Sequence, residues 1–545
     1  MATDMATGYD EYVARWGVPP EPVSLSEEAR GFLESEIGPA TAHPAVGRSA
    51  LSVTPSRLAG EAAQALRGTG ARLELGDGSR LECGAGFSYL DLLSRRGSEP
   101  PVPDAVVSPR DADQVGKLLR VAAQNDIALI PFGGGTSVVG GVRPEAGGHK
   151  AVVAMRFDQM ADLIAVDDID LTVTVGPGMT GPVLERLLAA RGLMLGHFPQ
   201  SWERASIGGY AATRSAGQAS SGYGRSDQMI EALQVVTARG DFRLGRAPMS
   251  AAGPDLRQLF IGSEGAFGVI TEITLRVRRT PAVRRYEGVM FRDYESALDA
   301  FRSMEQRRCA ADVMRLSDPP ETRASLSLSV PARKAALLDR YVRLRGVKEP
   351  CLAIFGWEGT RTQVGSRRDE AWRVLRRAGA VPLGAKVGES WRHGRFGGPY
   401  LRDVLMDAGY LVETLETATS WRRLAELRSD VFSALRESLA ADGVHPWVMS
   451  HLSHVYETGG SLYVTVVTPM DPVDPVGQWR RAKTAACDVI SAAGATITHH
   501  HAVGRDHAPW LKGEVGSAGV DLLSAIKAYL DPAGVLNPGA LVPED

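Results

Sequence analysis

Cysteine is scarce in this chain of 545 residues: there are four, and no two of them form a CxxC pair. This scarcity excludes a zinc ribbon, a dithiol redox motif and a dense disulfide framework as interpretations. Long apolar runs are also missing, so the sequence predicts no transmembrane helix, and residues 1–18 lack the apolar core of a signal peptide. Together these absences predict a cytoplasmic protein.

Neither sign of charge is in excess, since 61 Lys and Arg residues face 64 Asp and Glu residues for a net charge of −3. A chain without a basic surplus gives no reason to expect a nucleic-acid partner. Glycine is in excess instead: the chain has 60 glycines, and the average usage is about 7%. The glycines are clustered, which favours loops where the backbone approaches a ligand closely.

Strand and helix signals alternate along most of the chain, which predicts an α+β fold. Ile127 to Phe132 is a short apolar run typical of a buried strand, whereas Asp111 to Gln124 places its apolar residues on one helical face. Proline clusters and a change to longer helices divide the chain. We expect the divisions 1–100, which has short helices and loops, 101–280, 281–500 and 501–545.

The first motif with chemical meaning is Pro131-Phe132-Gly133-Gly134-Gly135-Thr136-Ser137, directly after the predicted strand. Consecutive glycines leave backbone N–H groups unshielded, and such a run can form a concave site for the phosphates of a ligand. A tight structural turn explains the same residues equally well. The motif alone leaves both interpretations open.

A second glycine pattern, Gly176 to Gly181, matches GxGxxG between a predicted strand and a predicted helix. No strand ending in an acidic residue follows at the distance that a dinucleotide-binding fold requires, so a strand-to-helix turn is the preferred interpretation. Two further small-residue clusters span 206–217 and 262–270. Each cluster alone is typical of a turn, but several in one region predict an extended cofactor contacted at several points.

Three consecutive histidines, His499 to His501, are unusual. In an extended segment His499 and His501 would share one face. No HExxH motif or carboxylate partner accompanies them, so we predict no metal site, although His451 and His454 are conceivable further ligands. Acid–base catalysis suits histidine because it titrates near neutral pH, whereas residue type alone favours surface histidines.

Single residues elsewhere carry weaker signals. Tyr463 lies on an alternating strand, and by itself such a tyrosine belongs to the core. Arg315 and Arg402, taken alone, are typical of solvated charges.

Taken in order, the motifs resemble those of a known family. The segments 131–137, 206–209, 213–217 and 262–271 are similar to the FAD-binding domain of the vanillyl-alcohol-oxidase/PCMH superfamily. Within it, the chain resembles the alkyldihydroxyacetonephosphate synthase family over about residues 100–541, with matching segments at 309–316, 400–403, 460–463, 499–504, 510–512 and 529–532. The triple histidine separates this branch from the D-2-hydroxyacid dehydrogenases, which carry a Glu-His-Gly-type segment there.

The resemblance implies a two-part PCMH-type FAD-binding domain, an α/β cap and a C-terminal tail that returns to the FAD domain. The implied bounds are 1–100 for an N-terminal helical segment, 101–280 for the FAD domain, 281–500 for the cap or substrate domain and 501–545 for the C-terminal segment. The resemblance also implies non-covalent FAD and a homodimer, and a lipid substrate would bring peripheral contact with membranes.

Carried over position by position, the resemblance implies two sets of site residues. FAD would contact Pro131, Phe132, Gly133, Gly134, Gly135, Thr136, Ser137, Gln200, Ser201, Ser206, Thr213, Arg214, Ser215, Ala216, Glu264, Gly265, Gly268, Val269 and Ile270. Tyr463 would donate and accept a proton, and Arg402 would bind the substrate phosphate. The remaining active-site residues would be His197, Arg315, His499, His500 and His501.

The implied reaction exchanges the acyl group of acyl-dihydroxyacetone phosphate for a long-chain alcohol through a flavin N5 adduct. It belongs to ether lipid synthesis and involves no net redox change. Two alternatives stay open: an FAD-dependent oxidoreductase of a 2-hydroxy acid or another small alcohol, and a flavin-binding protein without catalysis. Net reduction of the flavin by a substrate distinguishes the oxidoreductase from the transferase.

Overall fold

The computed structural model describes residues 12–17, 19, 22–329, 340–342 and 344–542. Among the described residues before position 100 there are four short helices and, in addition, one strand. These elements are α1 (Glu27–Ile37), α2 (Gly60–Gly68), β1 (Arg72–Glu74), α3 (Asp77–Glu82) and α4 (Tyr89–Arg95), with a 3₁₀ turn at Arg48–Ala50. Ser26 caps α1 because its hydroxyl accepts a hydrogen bond from the Ala29 amide, which stabilises the helix by about 1 kcal/mol.

The first sheet has four strands in the order β1-β2-β4-β3, of which the last three are parallel. Its remaining elements are β2 (Ala105–Ser108), α5 (Ala112–Asn125), β3 (Ile127–Phe132) and β4 (Ala151–Arg156). The predicted apolar face of α5 is buried, and Asp111 caps the helix through the Gln114 amide. This sheet positions the glycine loop, which begins where β3 ends.

The second sheet is antiparallel, with the order β5-β6-β10-β8-β9. Its region contains β5 (Leu163–Asp167), β6 (Thr172–Val175), α6 (Gly181–Ala189), β7 (Leu193–Met194), α7 (Ile207–Thr213), α8 (Ser220–Tyr223), α9 (Ser226–Met229), β8 (Ile230–Thr237), β9 (Gly240–Leu244), α10 (Arg257–Phe260), β10 (Val269–Arg276) and β11 (Arg278–Arg279). The GxGxxG segment is the turn from β6 into α6, as the sequence favours, because an antiparallel sheet offers no dinucleotide crevice.

A seven-stranded sheet follows, with all neighbours antiparallel and the order β15-β12-β14-β13-β17-β18-β16. Its elements are β12 (Val283–Phe291), α11 (Tyr294–Gln306), β13 (Val313–Ser317), α12 (Pro319–Ser329), β14 (Cys351–Gly359), α13 (Arg361–Arg377), β15 (Val381–Gly384), α14 (Ala385–Gly394), α15 (Gly398–Asp407), β16 (Tyr410–Ser420), α16 (Leu424–Ala440), β17 (Trp447–Leu452), β18 (Gly459–Pro469) and α17 (Pro475–Ala492). One sheet face packs on α11, α13, α16 and α17 in the largest apolar core.

The C-terminal part returns to the first sheet. After a 3₁₀ turn at Ala508–Trp510, helix α18 (Leu511–Leu530) is longer than the predicted Val520 to Leu530 and is interrupted at Gly516, whose φ is 74°. The Leu129 amide of β3 then donates to the Val535 carbonyl at 2.7 Å, and the Asn537 amide donates to the Leu129 carbonyl at 2.9 Å. The last residues thus extend the sheet that carries the glycine loop.

Across the described ranges, none of the helices has both the length and the apolar character that a bilayer crossing requires.

Candidate active site

A cavity of about 1220 Å³ lies between the glycine loops and the open face of the seven-stranded sheet. Helices α12, α14 and α15 contribute its side walls. The predicted FAD-contact residues converge on this cavity from four separate segments of the chain, and most of them line it: Pro131, Gly133, Gly134, Gly135, Thr136, Ser137, Gln200, Ser201, Ser206, Thr213, Ser215, Ala216, Glu264, Gly265, Gly268, Val269 and Ile270.

The glycine loop after β3 fits a phosphate-bearing cofactor. Within the described chain, the amide groups of Gly134, Gly135 and Thr136 donate no hydrogen bond to protein, so they are free to face an anion. A Cβ at Gly134 would lie 2.8 Å from the Ala205 Cα and still nearer the Arg204 carbonyl, which explains why glycine is needed there. Both observations favour the ligand-binding interpretation of the motif over a simple turn.

Glu264 lies beside the glycine loop and connects it to the C-terminal part of the chain. Its Oε1 accepts hydrogen bonds from the amides of Val503 and Gly504, at 3.0 and 2.9 Å. Burial raises the pKa of the Glu264 carboxyl to about 7, although the two amides lower it. Glu264 therefore orients the loop that follows the three histidines.

The cavity floor has a polar row that runs across four strands. By strand register, Ser317 on β13 pairs with His451 on β17, His451 pairs with Tyr463 on β18, and Tyr463 pairs with Glu416 on β16. Paired residues in an antiparallel sheet point to the same face. The row therefore presents two aromatic acid–base groups and a carboxylate side by side.

Glu416 organises the triple histidine. Its Oε2 accepts hydrogen bonds from the amides of His499 and His500, both at 3.0 Å, and its Oε1 lies 3.1 Å from the Nδ1 atom of each ring. Burial alone would raise the pKa of this carboxyl, but His500 and His499 hold it well below its usual value. Glu416 is therefore an ionised carboxylate, and its charge would stabilise a proton on either imidazole.

The histidine segment is bent rather than extended, so the predicted sharing of a face by His499 and His501 is wrong. His500 and His501 line the cavity, whereas His499 lies behind them with its Nε2 2.6 Å from the Tyr456 hydroxyl. Burial, assisted by His500, lowers the pKa of His501 to about 3. His501 is thus a neutral imidazole at physiological pH.

His454 joins the histidine segment from the loop after β17. One ring nitrogen each from His454, His499 and His500 lies within 4.8 Å of the others. The ring of His454 stacks on His499 with centroids 5.0 Å apart, and its Nδ1 is 2.5 Å from the Ser220 hydroxyl. This spacing permits a metal ion as well as proton transfer, and the absence of a metal stays a prediction.

Arg315 is held at the polar row by two partners. Its Nη2 atom lies 2.9 Å from Glu321 Oε1 and 3.0 Å from His451 Nδ1. Although burial opposes it, the charges of His451 and Arg315 lower the pKa of Glu321 to about 2. Arg315 therefore orients His451 beneath Tyr463 and offers positive charge to the cavity.

Arg402 is a buried cation of the cavity wall with unpartnered nitrogens. Its Nη1 donates to the Phe87 carbonyl at 3.1 Å, but its buried Nε and Nη2 atoms have no hydrogen-bond partner among the described residues. Burial lowers the pKa of the guanidinium, and the Asp403 carboxylate 3.9 Å away opposes this effect. A buried arginine with two unpartnered nitrogens fits an anionic ligand such as a phosphate.

Two apolar walls flank the polar row. Trp447, Val467 and Val412 form a paired apolar row on β17, β18 and β16. On β18, Val467 of this row lies four residues from Tyr463, so the two residues are roughly 13 Å apart at about 3.3 Å per residue. On the other flank, Ile354 pairs with Arg315, and further apolar lining comes from Leu352, Leu383, Val387 and Trp391.

Four of the predicted site residues do not line the cavity, and each lies just behind a residue that does. The ring of Phe132 packs beneath Gly135, and Arg214 forms a salt bridge with Asp227 at 3.3 Å. His499 lies behind His500, as described above. The fourth is His197.

His197 is fully buried beneath the small-residue loop at Ser215. Its Nε2 is 3.0 Å from the Ser215 hydroxyl, and its ring packs edge-on against Tyr210. Burial lowers the pKa of His197 to about 3, so the ring is neutral. The structure thus places His197 behind a loop that lines the cavity.

Some residues of the site gave no sequence signal. Glu416, Trp16 and Phe87 carry no local motif, yet Glu416 contacts the histidines and the other two line the cavity. Glu416 could have been found only through the register of β16 against β18, because that register puts it opposite Tyr463.

Comparisons with known proteins agree with this geometry. The chain matches the family descriptions "FAD binding domain" over residues 103–244 and "FAD linked oxidases, C-terminal domain" over residues 280–541. Alkyldihydroxyacetonephosphate synthase of Trypanosoma brucei brucei is 32% identical over 470 residues, which cover 84% of this chain and 76% of that protein. These matches confirm the predicted FAD cofactor.

Solved structures lead to the same fold. A structure of alkyldihydroxyacetonephosphate synthase superposes with a TM-score of 0.80 at 26% identity and covers 96% of this chain and 94% of that one. p-Cresol methylhydroxylase superposes with a TM-score of 0.64 at 16% identity, over 89% of this chain and 96% of its own, and so shares the fold alone. The predicted PCMH-type α+β architecture is thereby confirmed.

Proposed function

The chain belongs to the alkyldihydroxyacetonephosphate synthase family, and from that membership we propose that it replaces the acyl group of acyl-dihydroxyacetone phosphate with a long-chain alcohol. The proposal rests mainly on the set of residues that line a single cavity. It combines a glycine cradle, the unpartnered nitrogens of Arg402 and two apolar walls on either side of Tyr463. A phosphate head with a long chain fits that combination.

The residues divide the chemical work as follows. Arg402 binds the substrate phosphate through Nε and Nη2. His500 accepts the proton removed from the substrate carbon, and the Glu416 carboxylate 3.1 Å from its Nδ1 stabilises the resulting imidazolium. Tyr463 exchanges a proton with the substrate oxygen. Bound FAD supplies an electron-accepting ring for the exchange.

The other predicted residues support this arrangement. His501 faces the Tyr463 ring and contributes a neutral acceptor, while His499 holds His500 against Glu416. Arg315 fixes His451 under Tyr463. In this proposal His197 acts indirectly, because it holds the loop of Ser215.

We also propose the domain bounds 1–100, 101–280, 281–500 and 501–545. The first strand of the seven-stranded sheet begins at Val283, and the last helix packed on that sheet ends at Ala492. These positions support the boundaries of the range 281–500. We also propose a homodimer, as the family resemblance implies. Peripheral contact with membranes completes the proposal, since a long-chain substrate resides in a bilayer. Light scattering and co-sedimentation with phospholipid vesicles test these two points.

The decisive experiment incubates the FAD-loaded protein with palmitoyl-dihydroxyacetone phosphate and isotope-labelled hexadecanol. Mass spectrometry should find labelled ether product and released palmitate, while the flavin spectrum stays oxidised at the end. Arg402→Gln should raise the KM for the phosphorylated substrate at least tenfold, and Arg402→Lys should lie between it and wild type because it keeps the charge but not the planar fork.

Two results would contradict the proposal. Flavin bleaching by a small 2-hydroxy acid under anaerobic conditions, without ether formation, would favour the oxidoreductase. Full FAD loading with neither ether formation nor bleaching would favour a flavin-binding protein without catalysis.

A further inference from the structure

Trp16, from the N-terminal segment, forms part of the cavity wall beside Arg402. The side chain is 4% exposed, and its indole packs edge-on against Phe87 with ring centroids 5.0 Å apart. The carbonyl of Phe87 is the acceptor for Arg402 Nη1. A residue nearly 400 positions away in sequence from the arginine therefore packs on the ring of the residue whose carbonyl holds it.

Every polar atom of Trp16 is bonded to the cavity surroundings. Its amide donates to Asp403 Oδ2 at 2.6 Å, its Nε1 donates to Glu203 Oε2 at 3.1 Å, and its carbonyl accepts from Arg204 Nη1 at 2.6 Å. The Tyr400 hydroxyl donates to the same Glu203 oxygen at 2.8 Å. Trp16 thus ties helix α15 to the loop that precedes α7.

The hydrogen bond from the Trp16 amide to Asp403 affects whether the nitrogens of Arg402 are available to an anion. Asp403 Oδ1 lies 3.9 Å from Arg402 Nη2, and neither atom has a hydrogen-bond partner among the described residues. A carboxylate free to rotate would close this gap and form a two-pronged pair with the guanidinium. Because the Trp16 amide holds Oδ2, the arginine nitrogens stay available to another anion.

We propose that Trp16 is a positioning residue for the phosphate of the substrate. It restrains Asp403 and supports the Phe87 carbonyl, so that Arg402 presents Nε and Nη2 to the cavity and water is excluded by the indole. The inference deepens the proposed function and rests on its assignment of Arg402 as the phosphate ligand.

The test measures the binding of dihydroxyacetone phosphate to FAD-loaded protein by calorimetry. Trp16→Leu keeps apolar volume and the backbone amide, but it loses the ring contact with Phe87 and the Nε1 bond to Glu203 that anchor this segment. We expect the released segment to draw the amide away from Asp403 and to weaken binding about tenfold. Trp16→Phe, which retains an aromatic ring, should recover most of the affinity. In turnover assays Trp16→Leu should raise the KM for acyl-dihydroxyacetone phosphate about tenfold with kcat nearly unchanged.

Two comparisons make the test specific. Trp372→Leu is the matched control, because Trp372 also donates its Nε1 to a buried carboxylate, Glu287, but lies outside the cavity. It should bind dihydroxyacetone phosphate as wild type does. Adding Asp403→Asn to Trp16→Leu should restore binding to within about threefold of wild type, because the amide cannot capture Arg402 as a carboxylate does.

The outcomes distinguish the role of Trp16 from the role of Arg402 in the proposed function. Equal affinities of wild type and Trp16→Leu would overturn the role of Trp16 and leave the proposed function intact. Failure of the double variant to recover would overturn the restraint of Asp403. If wild type does not bind dihydroxyacetone phosphate at all, both this inference and the role of Arg402 are wrong.

Discussion

Tyr463 lies between two histidine rings at the polar end of the cavity. Its ring stacks on His451 with centroids 4.6 Å apart and meets His501 edge-on at 5.5 Å. Burial raises the pKa of the phenol, although a hydrogen bond with Thr414 lowers it. The hydroxyl therefore keeps its proton at neutral pH, and in the resting protein it is a proton donor rather than a base.

Replacing Tyr463 with Phe removes that proton while keeping the ring between its neighbours. We expect ether formation to fall at least 100-fold, the range typical of losing an acid–base group, with FAD content unchanged. Rates of labelled ether formation and the ratio of flavin to protein absorbance measure the two effects.

Tyr410→Phe provides the control on the same sheet. The Tyr410 hydroxyl donates to the Gly38 carbonyl at 3.3 Å, away from the cavity. This variant should keep wild-type turnover. Retention of more than a tenth of the wild-type rate by Tyr463→Phe would contradict the assigned role.

The glycine loop after β3 is the element that we propose as a main contact of the cofactor. Gly135 has a φ of 65°, and Phe132 lies directly beneath it. Gly134 faces the Arg204 carbonyl so closely that no side chain fits. The loop keeps its shape because β3, which precedes it, is fixed by β4 on one side and by the returning C-terminal residues on the other.

Gly134→Ala places a methyl group against the backbone of Arg204 and Ala205. We expect the loop to shift and the purified protein to contain less than a tenth of the wild-type FAD, as judged by flavin absorbance. Gly60→Ala is the matched control, since a Cβ there meets nothing within 4 Å, and it should keep full FAD content.

Local sequence patterns predicted some elements of the site and could not predict others. The loop at Pro131–Ser137 was predictable because its glycines and the preceding apolar strand are contiguous. The pairing of Tyr463 with Glu416 was not, since it depends on the register between two strands far apart in the chain. The face shared by His499 and His501 was predicted wrongly because the segment bends where an extended conformation was assumed.

The parts of the molecule meet at a buried polar network near the glycine loop. Asp506 from the C-terminal part lies near Asp91, Arg143, Lys483 and Glu413, which come from the N-terminal part, the FAD-binding region and the cap. Its Oδ2 has no hydrogen-bond partner among the described residues. Burial raises the pKa of Asp506 to about 7, although Lys483 lowers it.

This network predicts how stability depends on pH. A carboxyl whose pKa is higher in the folded than in the unfolded chain binds its proton more tightly when folded. The stabilising contribution of Asp506 is therefore fully present below the unfolded pKa of 3.8 and is lost as the pH rises to about 7. At about 1.4 kcal/mol per pKa unit, the loss amounts to a few kcal/mol.

Asp506→Asn removes this titration and keeps the shape of the side chain. We expect its thermal midpoint to exceed that of wild type at pH 8 and the difference to shrink toward pH 5, measured by calorimetry at both values. Asp430→Asn changes an exposed carboxylate on α16 and should follow the wild-type profile. A constant difference between Asp506→Asn and wild type at all pH values would contradict the prediction.

The return of the last residues to β3 has a consequence for biosynthesis. Val535 and Asn537 bond to Leu129, and the Asn537 side chain also donates to the carbonyls of Gly141 and Glu264. The ribosome makes the glycine loop some 400 residues before these partners. The nascent chain therefore cannot complete the sheet edge behind this loop until residues 535–537 have been synthesised, and a nonsense codon just before Val535 should yield protein that purifies without FAD.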